Sequence, residues 1–294
     1  MANLKTIRLR INSVRSTRQM TSAMKMVAAA KLRKAQDKIV RLRPYAGKLN
    51  EILTNLTQSL ADSEEDNIYG RKSEPERILI VVITSNKGLC GSFNSNVIRE
   101  VRRIIYEDYY KQYELGNLWF IAIGKKGYDF LKKQKLNIIE EANDLVNNLT
   151  FEKCMPLASR IIESFVNDRF DQVKIIYNQF KNAAVQNLTN ESFLPVETKP
   201  SETNAVSIVD YIYEPSKKEI IKELIPRTLK IQFYKAVLDS FVAEHGARMT
   251  AMHKATDNAS ELINDLTLLY NKARQAAITN QILEVVTGAE ALKG

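Results

Sequence analysis

Two ladders of apolar and small residues, one at each end of the chain, constrain this sequence more than any other feature. The first runs through Leu4, Ile7, Ile11, Val14, Thr17, Thr21, Met24 and Ala28 and resumes through Ala35, Ile39, Leu42, Ala46, Leu49, Leu53, Leu56 and Leu60. Steps of three and four place these side chains on one face of a helix, and so long and narrow a stripe is the mark of a coiled coil. Residues 4–60 are therefore expected to form one helix. Pro44 and Gly47 interrupt it. A proline inside a helix removes a backbone donor and crowds the preceding turn, so a bend is expected there. The second ladder occupies residues 227–287 and includes Val237, Phe241, Met249, Met252, Leu262, Leu266, Leu269, Ala273 and Ile282. Pro226 fits a helix start and Gly288 a helix stop. At a rise of 1.5 Å per residue each helix would span roughly 85–90 Å. Neither can hide its stripe alone, and since both join the same intervening segment, antiparallel pairing is the economical solution.

The intervening segment follows different rules. Residues 62–77 (DSEEDNIYGRKSEPER) have the polar composition of a linker. Strand-like runs then alternate with helix-like ones: 78–85, 118–124, a shorter run at 136–141 and 173–180 as strands, with helices over 94–114, 125–133 and 152–168. Such alternation predicts a mainly parallel sheet covered by helices. Runs near 192–198 and 206–213 would add antiparallel strands at an edge. The fold class is thus α/β: a long antiparallel coiled coil of N- and C-terminal helices flanking a Rossmann-like domain. The expected division is an N-terminal helix over 1–60, the α/β domain over 75–214 and a C-terminal helix over 217–294.

Charge is unevenly spread. Residues 1–48 carry 13 Lys and Arg and one acid, Asp37, against a net charge of +9 for the whole chain. An acidic partner surface, nucleic acid or an anionic membrane should face that segment. Residues 1–44 contain no aromatic residue, which weighs against nucleic-acid binding. The longest apolar run, Ile78–Ile83, has strand length and is far short of a membrane span. No secretory signal is expected, and an organelle presequence is disfavoured because the ladder runs on past any cleavage point. Cys90 and Cys154 are too few and too far apart for a disulfide framework, and they read as reduced, buried small hydrophobes.

The segment Asn86-Lys87-Gly88-Leu89-Cys90-Gly91 lies between a strand and a helix, where phosphate is often bound. It matches neither GxGxxG nor the P-loop pattern, and a tight turn is the favoured reading. Gly124-Lys125-Lys126-Gly127 lacks a following Ser or Thr. His245 and His253 are eight residues apart, whereas a helical metal face wants a spacing of four. The methionines, Met20, Met24, Met26, Met249 and Met252, read mainly as adaptable packing. No catalytic, cofactor-binding or metal-binding residues are therefore assigned. A rod-forming assembly protein is favoured over a small α/β enzyme with helical extensions.

Three segments carry a resemblance. TRQMTSAMKMVAAAKLRKAQ (17–36), NKGLCGSFN (86–94) and the run from Ala247 to Leu292 resemble, in order, the N-terminal signature, the loop after the first strand and the C-terminal helix of ATP synthase γ subunits. The resemblance implies a non-catalytic central rotor shaft. Its two helices would stand inside a hexamer of α and β subunits, and its α/β domain would meet the membrane-embedded c-ring and the small ε subunit. It implies a peripheral place on the cytoplasmic side of a bacterial inner membrane. Met24, beside Lys25, would face an acidic loop of the catalytic subunit. Arg248, Gln275 and Thr279 match positions tied to coupling or to the upper bearing. The insertion with paired regulatory cysteines found in chloroplast relatives is not visible. Residues beyond about 270 would stand as a single helix, because the first helix begins partway along the shaft.

Overall fold

The computed structural model describes residues 4–58, 69–70, 74–147, 149–196 and 217–291. The chain falls into two compact units, Met1–Ala28 with Met249–Gly294, and Ala29–Arg248. The two long helices are α1 (Leu4–Gln58) and α6 (Lys217–Ala291), and each contributes to both units.

In the first unit α1 and α6 run antiparallel. Ile7 and Ile11 are buried with Leu266, and Val14, Tyr270 and Ala273 pack against them. Further along, Thr21 Oγ1 meets Thr256 Oγ1 at 2.8 Å, so residue numbers rise on one helix as they fall on the other. The inward side chains of α6 are Met252, Thr256, Ala259, Ile263, Leu266, Tyr270 and Ala273, alternating steps of four and three as a heptad seam requires. This phase corrects the sequence expectation. Leu262 and Leu269, each one residue off the seam, are 39% and 48% exposed, and Thr17 of α1 is also exposed. From Arg274 onward α6 has no buried residue among those described, and Ile278, Ile282, Leu283, Val285 and Val286 stand exposed.

The second unit is built on a five-stranded sheet of order β3-β2-β1-β4-β5. β1 (Ile78–Ile83), β2 (Leu118–Ile123), β3 (Asn137–Glu141) and β4 (Gln172–Phe180) are parallel. β5 (Gln186–Leu194) is the antiparallel edge. All of β1 is buried, as the uninterrupted apolar run requires of a central parallel strand. Its alternate residues Ile78, Ile80 and Val82 pack with Val97 and Val101 of α2 (Phe93–Arg103). The helix expected over 94–114 is divided. A π turn at Ile104–Asp108 follows α2 and closes with the bond from Tyr109 N to Ile104 O at 2.9 Å, and α3 (Tyr110–Glu114) comes next. The extra residue keeps Ile104, Ile105 and Tyr109 all in the core. α4 (Lys125–Lys133) and α5 (Phe151–Val166) lie where the sequence placed helices.

Within this unit α6 is a core element. From Ala236 to Arg248 every residue but Phe241 is buried, including Asp239, Ser240, Glu244 and His245. A helix buried all round has no amphipathic stripe, so periodicity could not announce it. Arg43 of α1 donates to Asp239 Oδ1 and to the Phe180 carbonyl, both at 3.1 Å.

Two terminal expectations are corrected. Pro226 lies inside α6, which begins at Lys217, and Ile225 and Leu229 on either side of it are buried. Gly288 does not stop α6, which runs to Ala291. Pro44 lies inside α1, which continues through it as one helix; the expectation of a bend rather than a break is met only in that the helix is unbroken. The strand expected near 192–198 is β5, which begins earlier, its polar Gln186–Asn190 part being carried by pairing with β4. Residues 206–213, and most of the expected linker, lie outside the described residues.

Candidate functional site

In a doubly wound sheet a ligand binds beyond the carboxyl ends of the strands, where the order reverses. Here that point lies between β1 and β4. The loop after β1 is fixed from several sides. Ser85 Oγ donates to the Lys87 carbonyl at 2.7 Å, and Asn94 Oδ1 accepts from Ser85 N at 3.0 Å. Asn86 Nδ2 donates to the Asn143 carbonyl at 2.8 Å, and Asn86 Oδ1 accepts from Lys125 N at 3.0 Å. Asn178 Nδ2, from buried β4, donates to the Phe93 carbonyl at 2.9 Å.

The crevice itself is filled by α6. Ala243 and Ala247 pack with Cys90, Phe93 and Phe180. A Cβ on Gly246 would lie 3.3 Å from Ala183 Cα, so the helix touches the β4–β5 turn backbone. The second glycine pair is explained by packing as well. A Cβ on Gly124 would lie 2.1 Å from the Thr84 carbonyl oxygen, and Gly127 N donates to Thr84 Oγ1 at 2.8 Å. These glycines let α4 close onto the end of β1.

Arg248 ends this plug. Its Nη1 donates to Glu244 Oε1 at 2.6 Å and its Nη2 to the Lys87 carbonyl at 3.0 Å. The Arg248 and Glu244 side chains are 11% and 7% exposed. Burial pushes the Glu244 carboxyl up while Arg248 pulls the other way. His245 stacks edge-on against Phe241, and its Nδ1 lies 3.4 Å from Arg248 Nη1. Burial, then Arg248 and Lys31, lower its pKa to about 3, so the ring is neutral. Cys90 and Cys154 are free and buried. Burial raises both thiols, Cys154 to about 12, so neither has the lowered pKa of a reactive cysteine. His253 is exposed and pairs with Asp257 at 3.2 Å, and no metal-ligand cluster occurs among the described residues.

The residues singled out from sequence fall in both units. Met24 and Lys25 are half-buried on α1 in the first unit, one turn from the Thr21–Thr256 contact. Gln275 and Thr279 are exposed on the unpaired end of α6, with Thr279 Oγ1 donating to the Gln275 carbonyl at 2.9 Å. Arg248 belongs to the second unit, and its hydrogen bonds run inward. The link from Glu244 through Arg248 to the loop after β1 has no counterpart in the sequence analysis. Its one legible sign was the spacing of four between Glu244 and Arg248.

Comparison with known proteins converges on one family. A family model described as ATP synthase matches residues 3–292. The chain is 55% identical over 296 residues to the ATP synthase gamma chain of Flavobacterium johnsoniae, covering 100% of both. It is 44% identical over 295 residues to that of Geobacter metallireducens, again covering 100% of both. The central stalk and c-ring structure of Tetrahymena thermophila mitochondrial ATP synthase contains a chain that matches with a TM-score of 0.59 and 26% identity, over 80% of this chain and 99% of that one. A chain of the Euglena gracilis mitochondrial enzyme shares the fold, with a TM-score of 0.69 at 21% identity over 98% and 94% of the two chains. The chain therefore belongs to the ATP synthase γ-chain family.

Proposed function

We infer that this chain is the central-stalk rotor of an F-type ATP synthase, coupling rotation of a membrane ring to ATP synthesis in a surrounding hexamer. The observation that carries the reading is the first unit. An antiparallel helix pair ends in a bare helix with five exposed apolar side chains, which suits a shaft whose tip turns in an apolar bearing. An asymmetric shaft does no chemistry. It supplies contact free energy that differs among otherwise equivalent catalytic sites, and so drives them through their states in order. The chain is itself non-catalytic in this reading, which is supported by the nucleotide crevice of its sheet being packed with Ala243, Gly246 and Ala247. Its partners are the α and β subunits of the hexamer, the ε subunit and the c-ring. It sits peripherally at the cytoplasmic side of a bacterial inner membrane. No described helix is long and apolar enough to cross a membrane.

Affinity purification of the tagged chain from its own cells tests this. Co-purification of the hexamer with one copy of the chain, and no ATP turnover by the chain alone, is the expected result. Turnover by the isolated chain, or its recovery without hexamer, would contradict the reading.

A further inference from the structure

We propose that Arg43 and Asp239 form a proton-operated clasp inside the α/β unit, holding α1 while Asp239 is charged and releasing it when Asp239 takes up a proton. Arg43 Nη2 donates both to Asp239 Oδ1 of α6 and to the carbonyl of Phe180 at the end of β4, each at 3.1 Å. One nitrogen of α1 thus ties together its own helix, the buried stretch of α6 and the turn into β5. Elsewhere in this unit α1 is held by an apolar seam that includes Leu32, Ala35 and Ile39, and by Lys38 Nζ, which donates to the Leu149 carbonyl at 3.3 Å. The seam is indifferent to protons, and the clasp is not.

Asp239 is fully buried, and its Oδ2 has no hydrogen-bond partner, so a proton can be added there without displacing the bond at Oδ1. Burial raises this carboxyl above the ordinary carboxylate range; Arg43 and then Lys235 of α6 act against the rise, and Glu191 of β5 adds to it. Glu191 in turn accepts from Tyr177 Oη of β4 at 2.9 Å and from Gln232 Nε2 of α6 at 2.6 Å. Burial first, then Glu191, keep the Tyr177 phenol protonated. Once Asp239 is neutral, its bond to Arg43 loses the charge-assisted part of its strength, roughly half. Arg43, whose side chain is 46% exposed, then has water to turn to. With Arg43 swung away and Asp239 still buried, the carboxyl lies higher than in the closed clasp, so opening binds a proton and grows easier as pH falls. Global unfolding responds in the opposite direction, because it delivers Asp239 to water, where its pKa is lower. One consequence rests on the rotor reading above: the grip of the α/β unit on α1 would follow the acidity of the compartment in which the rotor turns.

Hydrogen exchange of the isolated full-length chain tests the clasp, with each amide's rate divided by its intrinsic rate at the same pH. Between about pH 7.5 and about pH 5, protection of the α1 amides around Arg43 should fall about tenfold, since a proton taken up on opening shifts that equilibrium by up to tenfold per pH unit. The β1 amides, which report global opening, should not follow. Asp239→Asn, neutral at every pH, should show the lowered protection throughout. Arg43→Met should start low at pH 7.5 and fall no further. Lys38→Met, which cuts the other polar tie of α1, should keep the fall. The proposal is overturned if protection around Arg43 is unchanged over this range, or if β1 loses protection in parallel. It is overturned equally if Asp239→Asn or Arg43→Met keeps the fall, or if Lys38→Met abolishes it. None of these results touches the rotor reading. Recovery of the chain without hexamer would remove that reading and leave the clasp standing.

Discussion

Asp239 offers a quantitative test of the packing between α1 and the buried part of α6. It is fully buried, its Oδ1 accepts from Arg43, and its Oδ2 has no hydrogen-bond partner. Burial pushes its carboxyl up, and Arg43 is the main influence holding it down. Arg43→Met keeps the aliphatic stem and removes the charge. Breaking a buried pair leaves an uncompensated charge worth about 3–5 kcal/mol. Arg43 is 46% exposed, so water screens part of that, and about 2 kcal/mol is the expected loss at pH 7. The sign with pH follows from linkage. An acid whose folded pKa lies above its unfolded value is neutral in both states at low pH. The penalty therefore appears as pH rises through the folded pKa. Removing Arg43 raises the folded pKa further, so the deficit relative to the parent should be largest at pH 7 and shrink towards pH 4. Trp119, the single tryptophan, packs edge-on against Phe170 in this unit and reports its unfolding. For a urea dependence of about 2 kcal/mol per molar, the midpoint should drop by about 1 M at pH 7. Asp239→Asn in the same background should restore most of it. A deficit that persists unchanged at pH 4, or one that Asp239→Asn fails to relieve, would refute the reasoning.

Three further outcomes are expected. His245 binds its proton at about 3 in the fold against 6.5 for the free side chain, so the native state loses stability as pH falls below 6.5, by up to about 1.4 kcal/mol per pH unit. His245→Gln should flatten that part of the stability profile, and profiles that stay parallel would contradict the assignment. Gly124→Ala should cost about 4 kcal/mol, since a Cβ there would sit 2.1 Å from a backbone oxygen at φ +103; a Trp119 midpoint close to the parent's would show that α4 can move aside. Met24→Lys in the assembled complex would add a charged bond worth about 1.5–3 kcal/mol to one rotary state, lowering ions pumped per ATP more than hydrolysis. Met24→Leu should be nearly silent, and normal pumping by Met24→Lys would remove Met24 from the coupling contacts.

The fold was legible where one physical pattern dominated. β1 is read directly from six consecutive buried apolar residues, and the ladder Ile39, Leu42, Ala46, Leu49 does face inward on α1. Legibility failed where pairing or burial overrode pattern. The polar first half of β5 is a strand because β4 supplies its hydrogen bonds. Leu262 and Leu269 looked like seam residues because leucine is apolar, yet the phase set by Ile263, Leu266 and Tyr270 turns them outward. The site was harder still. Met24, Gln275 and Thr279 were placed by resemblance alone, since nothing in their chemistry distinguishes them. The Arg248 link depends on a backbone carbonyl brought from residue 87, a contact 161 positions away that no local spacing encodes.

Direct observation of rotation tests the central claim. Leu115 is 65% exposed on the α/β unit, while both native cysteines are buried, so Leu115→Cys gives a selective handle for a probe. With the hexamer fixed to a surface and ATP supplied, the probe should turn in one direction in regular steps. A complex that hydrolyses ATP at its normal rate while the probe on this chain stays still would contradict the account.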